Sequence, residues 1–404
     1  MPRIDAGTDG DTSATSLTDY PGEGYAGDPA PLPGDPVARV RLPSGDPVWL
    51  VTGYDEVRTA LNHPLLSRDV QEGDPKAGSV PIGGYRPGHR TLQSEGAVHA
   101  QIRKLAARPF TARRIAGLRE RIQQLTDEML DGMVRDGPPA DLVAHLAYPL
   151  PITVISELFG VPPQDRARFT AWSDRIVTLV GIAPQEQEDA RAHLHAYLGS
   201  LVAARRAAPG GDVISGWLAA QDPADPLTDA EVVRLAQTVL IGGYETTVNA
   251  IGAGMWRLFQ HPEQLAELRA DPRLLPRAVE EILRYQPPSM FFLVLVARGD
   301  LELGGRSIRR GDGVMPLPFA ANRDAARFAA PDRFDIRRAP SGHLAFGHGP
   351  HACLGAALAR AELEVAIGTL LRRLPDLRPA TDPAALTWRE DRLVNGLREL
   401  PVDW

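Results

Sequence analysis

A mainly α-helical chain with small β-sheets, folded as one domain, is predicted by three features of the 404-residue sequence. Apolar residues spaced by three and four, the helical period, recur through most of its length. Short β-prone runs bounded by Gly, Pro and Asp flank that helical body on both sides. No internal repeat, linker or break in composition divides it.

Taken in order, residues 1–35 are rich in Gly, Asp, Pro, Ser and Thr without periodicity and predict a loose terminal arm, which leaves 36–404 as the folded domain. Next, apolar Ala38, Val40 and Leu42 alternate with Arg39 and Arg41, Pro43-Ser44-Gly45-Asp46 supplies a turn, and 47–52 is a second β-prone run. A hairpin is expected. Helical spacing follows in 97–108, 112–135, 148–159, 163–181, 187–206, 228–260 and 274–285. After Pro287 the runs 291–296 and 300–303 read as strands, 355–373 as a last long helix, and the tail as strand-rich.

Composition excludes several function classes. A single cysteine, Cys353, rules out an internal disulfide framework and any CxxC metal site. A net charge of −7 gives no reason to expect nucleic acid. No apolar leader stands at Met1 to Gly7 and no stretch of 18 or more apolar residues occurs, so a cytoplasmic chain without a membrane anchor is expected.

Segment 228–260 carries a capping box, with Thr228 as N-cap and Glu231 at N3, and a Leu227/Val232 staple. At 1.5 Å per residue it spans about 50 Å and is apolar on most sides, as a buried central helix should be. Its middle reads Gly242-Gly243-Tyr244-Glu245-Thr246-Thr247. Two glycines, each costing about 1 kcal/mol in a helix, beside a carboxylate and two hydroxyls mark either a functional site or close helix packing. Further on, Phe346-Gly347-His348-Gly349-Pro350-His351-Ala352-Cys353-Leu354-Gly355 leads directly into a helical pattern. Free N–H groups and the positive dipole end there favour a thiolate, and the glycines admit a flat, bulky group. A lone cysteine is otherwise a small buried hydrophobe.

The stretch Phe346 to Gly355 resembles the haem-thiolate loop of cytochromes P450, FGxGxHxCxG. Three more motifs stand in that family's order: His99-Ala100-Gln101-Ile102-Arg103 (HxxxR), the central-helix motif at 242–247, and Glu281-Ile282-Leu283-Arg284 (ExxR). The resemblance runs from about residue 36 to the end, and the length is that of the soluble bacterial, actinobacterial-type class. It implies the family fold, with haem b between the central helix and the cysteine loop. Cys353 would be the axial thiolate and metal ligand, with Phe346, Gly347 and Gly355 shaping its cradle. His99, Arg103 and His351 would donate to the propionates. Glu281, Arg284 and Arg333 would form a structural Glu-Arg-Arg triad. Thr246, its hydroxyl bonded back to the Gly242 carbonyl, would loosen the helical ladder and open a groove, where Gly243 would leave room for oxygen while Glu245 and Thr246 would organise protons.

One position departs from the family. Leu295 stands where most members carry a propionate-binding arginine, and Arg298, three residues on, belongs to the opposite face of a strand. One propionate is therefore expected to be held by fewer charges. The resemblance also places Met290, Phe291, Phe292, Leu293, Val294, Gly242, Leu393 and Val394 around the substrate, with the 70–92 loop and the 168–190 segment.

The implied activity is a monooxygenase that inserts one atom of O2 into a lipophilic small molecule by hydroxylation or epoxidation, tailoring a secondary metabolite such as a polyketide, macrolide or terpene. Oxidative coupling or rearrangement without oxygen insertion is the alternative, and a cysteine hydrolase using Cys353 with His351 or His348 is a third reading. Electrons derived from NAD(P)H would come from a separate ferredoxin and ferredoxin reductase, steered toward Arg103, Lys104, Arg108 and Arg360. A monomer is expected.

Overall fold

The computed structural model describes residues 34–42, 45–68, 90–178, 181–288, 294–339, 342–382, 385–389, 394 and 396–404. Almost all of the expected arm, most of the 70–92 loop, Met290, Phe291, Phe292, Leu293 and Leu393 lie outside the described residues.

The first part of the chain holds β1 (Val37–Arg41), β2 (Pro47–Val51), α1 (Tyr54–Asn62), β3 (Leu66–Ser67), α2 (Gly96–Ala106), α3 (Ala112–Asp136) and β4 (Ala140–Asp141). The helical middle comprises α4 (Pro149–Leu158), α5 (Arg166–Val177), α6 (Pro184–Ala207), α7 (Val213–Ala219), α8 (Asp229–Phe259), α9 (Pro262–Ala270) and α10 (Leu275–Tyr285). Then come β5 (Leu295–Ala297), β6 (Leu301–Leu303), β7 (Arg306–Ile308), β8 (Gly313–Pro316), α11 (Pro318–Ala321), α12 (Ala356–Arg373), β9 (Arg378–Pro379) and β10 (Pro401–Asp403).

The expected hairpin is β1/β2, paired from Val37↔Val51 to Arg41↔Pro47, and it edges a sheet ordered β1-β2-β8-β5-β3. Val37 and Val51 pack with Leu295 in one core cluster, whereas Val40, Val48 and Leu50 pack with Met315 and Leu317 in another. Both faces of this sheet are thus covered, and Val37 rather than Ala38 is buried.

Helices expected at 112–135, 228–260, 274–285 and 355–373 are α3, α8, α10 and α12, each bound within one residue. The central helix stops at Phe259, ahead of His261 and Pro262, and Pro262 then opens α9 as its first residue, where its missing N–H costs nothing. The short helices α1, α7, α9 and α11 add to the helices expected from the spacing. The Thr228 capping box is formed in both directions, and Leu227 and Val232 are both buried in one cluster. Arg90 adds a two-pronged bond to the box, 2.8 and 2.9 Å from the Glu231 carboxylate. With α4, α6, α10 and α12 packed around it, α8 is the axis of the molecule. Among the described residues no helix is long and apolar enough to cross a membrane.

The Glu-Arg-Arg expectation needs one correction. Glu281 and Arg284 are buried and joined by bonds of 2.7 and 2.8 Å, and Arg284 also donates to the carbonyls of Asn322 and Pro331. The third member is Arg338, whose Nε lies 3.1 Å from Glu281 Oε2, not Arg333. The Arg333 side chain is 72% exposed and faces Asp335; only its carbonyl joins the network, accepting from Arg284 and Arg338. Arg338→Ala is therefore expected to cost about 2–3 kcal/mol, the scale of a hydrogen bond to a charged group. Arg333→Ala should stay within about 0.5 kcal/mol. Denaturant unfolding of the two variants checks the assignment, and a larger loss in Arg333→Ala would reverse it.

Glu362 sits inside α12 at 1% exposure, and its Oε2 has no hydrogen-bond partner among the described residues. Burial pushes this carboxyl up to about 8, so it is neutral at neutral pH. The folded state then holds a proton that the unfolded chain releases near its ordinary value of 4.5, and stability falls as pH rises from there to about 8. Glu362→Gln removes that slope. The variant should gain on the wild type in unfolding measurements above pH 8 but not below pH 4.5, whereas a pH-independent difference would contradict the buried, neutral carboxyl.

Candidate active site

The cysteine loop is shaped by its glycines. Gly347 and Gly349 have φ of +69° and +73°, conformations that strain any side chain. A Cβ at Gly349 would also lie 2.9 Å from both the Leu61 carbonyl and Asn62 Oδ1, so the loop seats directly on the end of α1. The Cys353 N–H donates to the Phe346 carbonyl at 2.7 Å and closes the loop. Gly355 caps α12 and has open space where a Cβ would stand.

Cys353 is exposed on one side and crowded by protein on the others, as in the wall of a recess. Backbone N–H groups of Gly355 and Ala356 point to its sulfur, and Arg103 and Arg360 act on it electrostatically. These are the influences expected of a helix mouth. Burial nevertheless outweighs them and pushes the thiol above its ordinary value, so the helix end alone does not ionise the sulfur. A cation bound to it would.

His99 and Arg103 lie one turn apart on α2, beside this loop. The His99 ring lies 4.0 Å from that of His351, tilted 35° to it, and its buried Nε2 has no partner among the described residues. Burial, followed by the neighbouring His351 charge, pushes His99 down to about 4, leaving it neutral. His351 Nε2 pairs with Glu95 Oε2 at 3.0 Å, and Glu95 also accepts the Arg68 N–H at 2.7 Å. Burial alone would raise Glu95; the bonds from His351 and Arg68 hold it below its ordinary value. Neither Glu95 nor Arg68 stands in a motif that sequence reasoning could single out.

On α8 the Thr246 hydroxyl donates to the Gly242 carbonyl at 3.0 Å, as expected, but the helix continues unbroken through this turn, so the bond does not open the ladder as expected. The two glycines exchange roles. A Cβ at Gly243 would meet Ile155 Cδ1 of α4 at 3.1 Å, so Gly243 serves helix packing. Gly242, on the same face as Thr246, has open space in that direction and is the glycine that leaves room. Glu245 is 3% exposed. Beside it, Tyr244 donates to Asp174 Oδ1 at 3.1 Å and Tyr148 to Oδ2 at 2.5 Å, tying the last turn of α5 to α8. Asn249 donates to the Val394 carbonyl at 3.4 Å, and Gly396 packs on Asn249, which brings the tail against α8. Val294 is buried in the sheet core cluster.

Arg360 is less available for steering than expected, because it makes bonds of 2.6 and 2.9 Å to Glu280 and its guanidinium lies 4.5 Å from the Phe346 ring. Lys104 and Arg108 are exposed.

These residues suit a flat, largely apolar group that carries a metal at its centre and acidic groups at its edge. The recess offers a sulfur supported by two N–H groups, a buried imidazole nitrogen without a partner among the described residues, and glycines at 242 and 355 that face open space.

Known proteins agree with that chemistry. Residues 185–383 match the family described as Cytochrome P450. The chain is 42% identical to Cytochrome P450 monooxygenase PikC of Streptomyces venezuelae, over 95% of this chain and 92% of that one. It is 40% identical to Mycinamicin IV hydroxylase/epoxidase of Micromonospora griseorubida, over 92% and 93%. The solved structure of the LnmA cytochrome P450 hydroxylase from the leinamycin pathway of Streptomyces atroolivaceus superposes with a TM-score of 0.87 at 42% identity, covering 96% of this chain and 100% of that one. With four ordered motifs, a cysteine loop built as described and this similarity along nearly its whole length, the chain belongs to the cytochrome P450 family of haem- and O2-dependent monooxygenases.

Proposed function

We propose that residues 36–404 form one domain that binds haem b between α8 and the Cys353 loop and inserts one atom of O2 into a large lipophilic secondary metabolite, of the macrolide, polyketide or terpene kind. NAD(P)H-derived electrons would arrive through a ferredoxin and its reductase. When bound, the haem iron supplies the activation of O2, and thiolate donation favours O–O cleavage.

The chain's own residues have separable tasks. Cys353 holds the iron through a sulfur that Gly355 and Ala356 N–H groups orient. His99, Arg103 and His351 hold the propionates; for His99 the support is its unused buried Nε2. Gly242 keeps space open on α8. Thr246, with its hydroxyl proton directed to the Gly242 carbonyl, keeps an oxygen lone pair free to accept a hydrogen bond in that space, and Glu245 stands next to it as a proton source.

The observation that carries the oxygenase reading is this acid and alcohol pair on an unbroken helix with an open glycine face. Substrate class follows the named activities of the relatives and the apolar residues expected at 290–294. Titrating the ferric protein with a panel of lipophilic metabolites, then running turnover with a surrogate ferredoxin, tests it. A spin-state change with a macrolide or terpene and a product heavier by one oxygen is expected. A product dehydrogenated or coupled without added oxygen would transfer the assignment to the alternative chemistry.

A further inference from the structure

The strand position at which the family carries a propionate-binding arginine is Leu295, packed at 3% exposure in the core. A replacement charge stands across the sheet. β3 pairs antiparallel with β5, Leu66↔Ala297 and Ser67↔Val296; Arg68 is the next residue, in the bend that follows β3, and extending the register by one step points it toward Leu295. Directly opposed residues of an antiparallel pair share a face, with Cβ atoms about 4.5–5.5 Å apart. Arg298 is excluded by the same register, because its N–H donates to the Leu65 carbonyl at the far end of the pairing.

Electrostatics place the Arg68 charge in the same region as the other cations. Arg103 acts on Arg68, and both act on His99. Burial, the largest influence, pushes Arg68 down to about 10, so it remains charged at neutral pH. Its N–H holds Glu95, which in turn holds His351. Among the described residues, however, no carboxylate lies within ion-pair distance of either the Arg68 or the Arg103 guanidinium. Two partly buried guanidiniums thus stand near each other, with Glu95 the one carboxylate acting on Arg68 and the Cys353 sulfur the one anion acting on Arg103, an arrangement that an anionic edge would relieve.

We propose that Arg68 makes the propionate contact that Leu295 cannot, so that this chain holds its haem from the neighbouring strand. The proposal rests on haem binding as read above. It assigns a cofactor-binding residue where the sequence motif alone indicates a deficit, and it makes Glu95 the positioning group that fixes both Arg68 and His351.

The test compares haem release from wild-type and Arg68→Ala holoprotein to excess apomyoglobin, using native haem and its propionate dimethyl ester. Loss of one charge-assisted bond should speed release of native haem roughly ten- to a hundredfold. With the ester, which has no propionate charge, the two proteins should release at the same rate. Arg68→Lys should fall between, and thermal unfolding of the haem-free Arg68→Ala protein should match wild type. Equal release of native haem from both proteins would overturn the proposal, as would an equal acceleration with both haems, which would mean that Arg68 only supports the fold. If the wild type takes up no haem, the haem reading itself fails.

Discussion

Cys353→Ser will abolish oxygenation, with product formation falling on the order of 10⁴-fold or more, as when an enzyme loses a group that its chemistry cannot do without. Serine is close in size, and its oxygen can accept the same N–H groups of Gly355 and Ala356. Its hydroxyl, however, ionises far less readily than a thiol, and no other cysteine exists to substitute. The same burial that raises the Cys353 thiol would oppose an alkoxide more strongly still. Product measured with a surrogate ferredoxin checks this; a variant that retains even a tenth of wild-type turnover would show that the sulfur is dispensable.

Thr246→Ala will separate electron consumption from product. The substitution removes one hydroxyl, frees the Gly242 carbonyl and favours the helix, so the fold should be unharmed. A positioned proton-transfer group is worth about 10²–10⁴-fold in rate, so product per NADPH should fall at least about tenfold while NADPH oxidation continues. Thr246→Ser, which keeps the hydroxyl, should retain most of the coupling. Unchanged coupling in the alanine variant would remove Thr246 from proton handling and leave a substrate hydroxyl to serve.

What the sequence reveals is local chemistry. The Thr228 and Glu231 box, the Thr246 to Gly242 bond, the Glu281 and Arg284 pair, and the His99 and Arg103 turn all join residues within four positions, and helical geometry alone brings them together. Long-range contacts are not legible in this way. Whether Arg333 or Arg338 reaches a carboxylate 57 residues before Arg338 depends on the path of the loop after Pro331. The pairing of His351 with Glu95, 256 residues away, and of Tyr244 with Asp174, 70 residues away, likewise follows from packing. Gly242 and Gly243 are equivalent as letters; only the position of Ile155 on α4 shows which one is filled and which is open.

Ligation of iron by the Cys353 sulfur is the claim on which the site's chemistry stands. It is tested most directly by reducing the purified wild-type protein with dithionite and adding carbon monoxide. A Soret maximum displaced strongly to the red, as thiolate ligation produces, is the expected result. A maximum at the position given by a neutral or histidine ligand, or no haem absorbance after reconstitution, would contradict it.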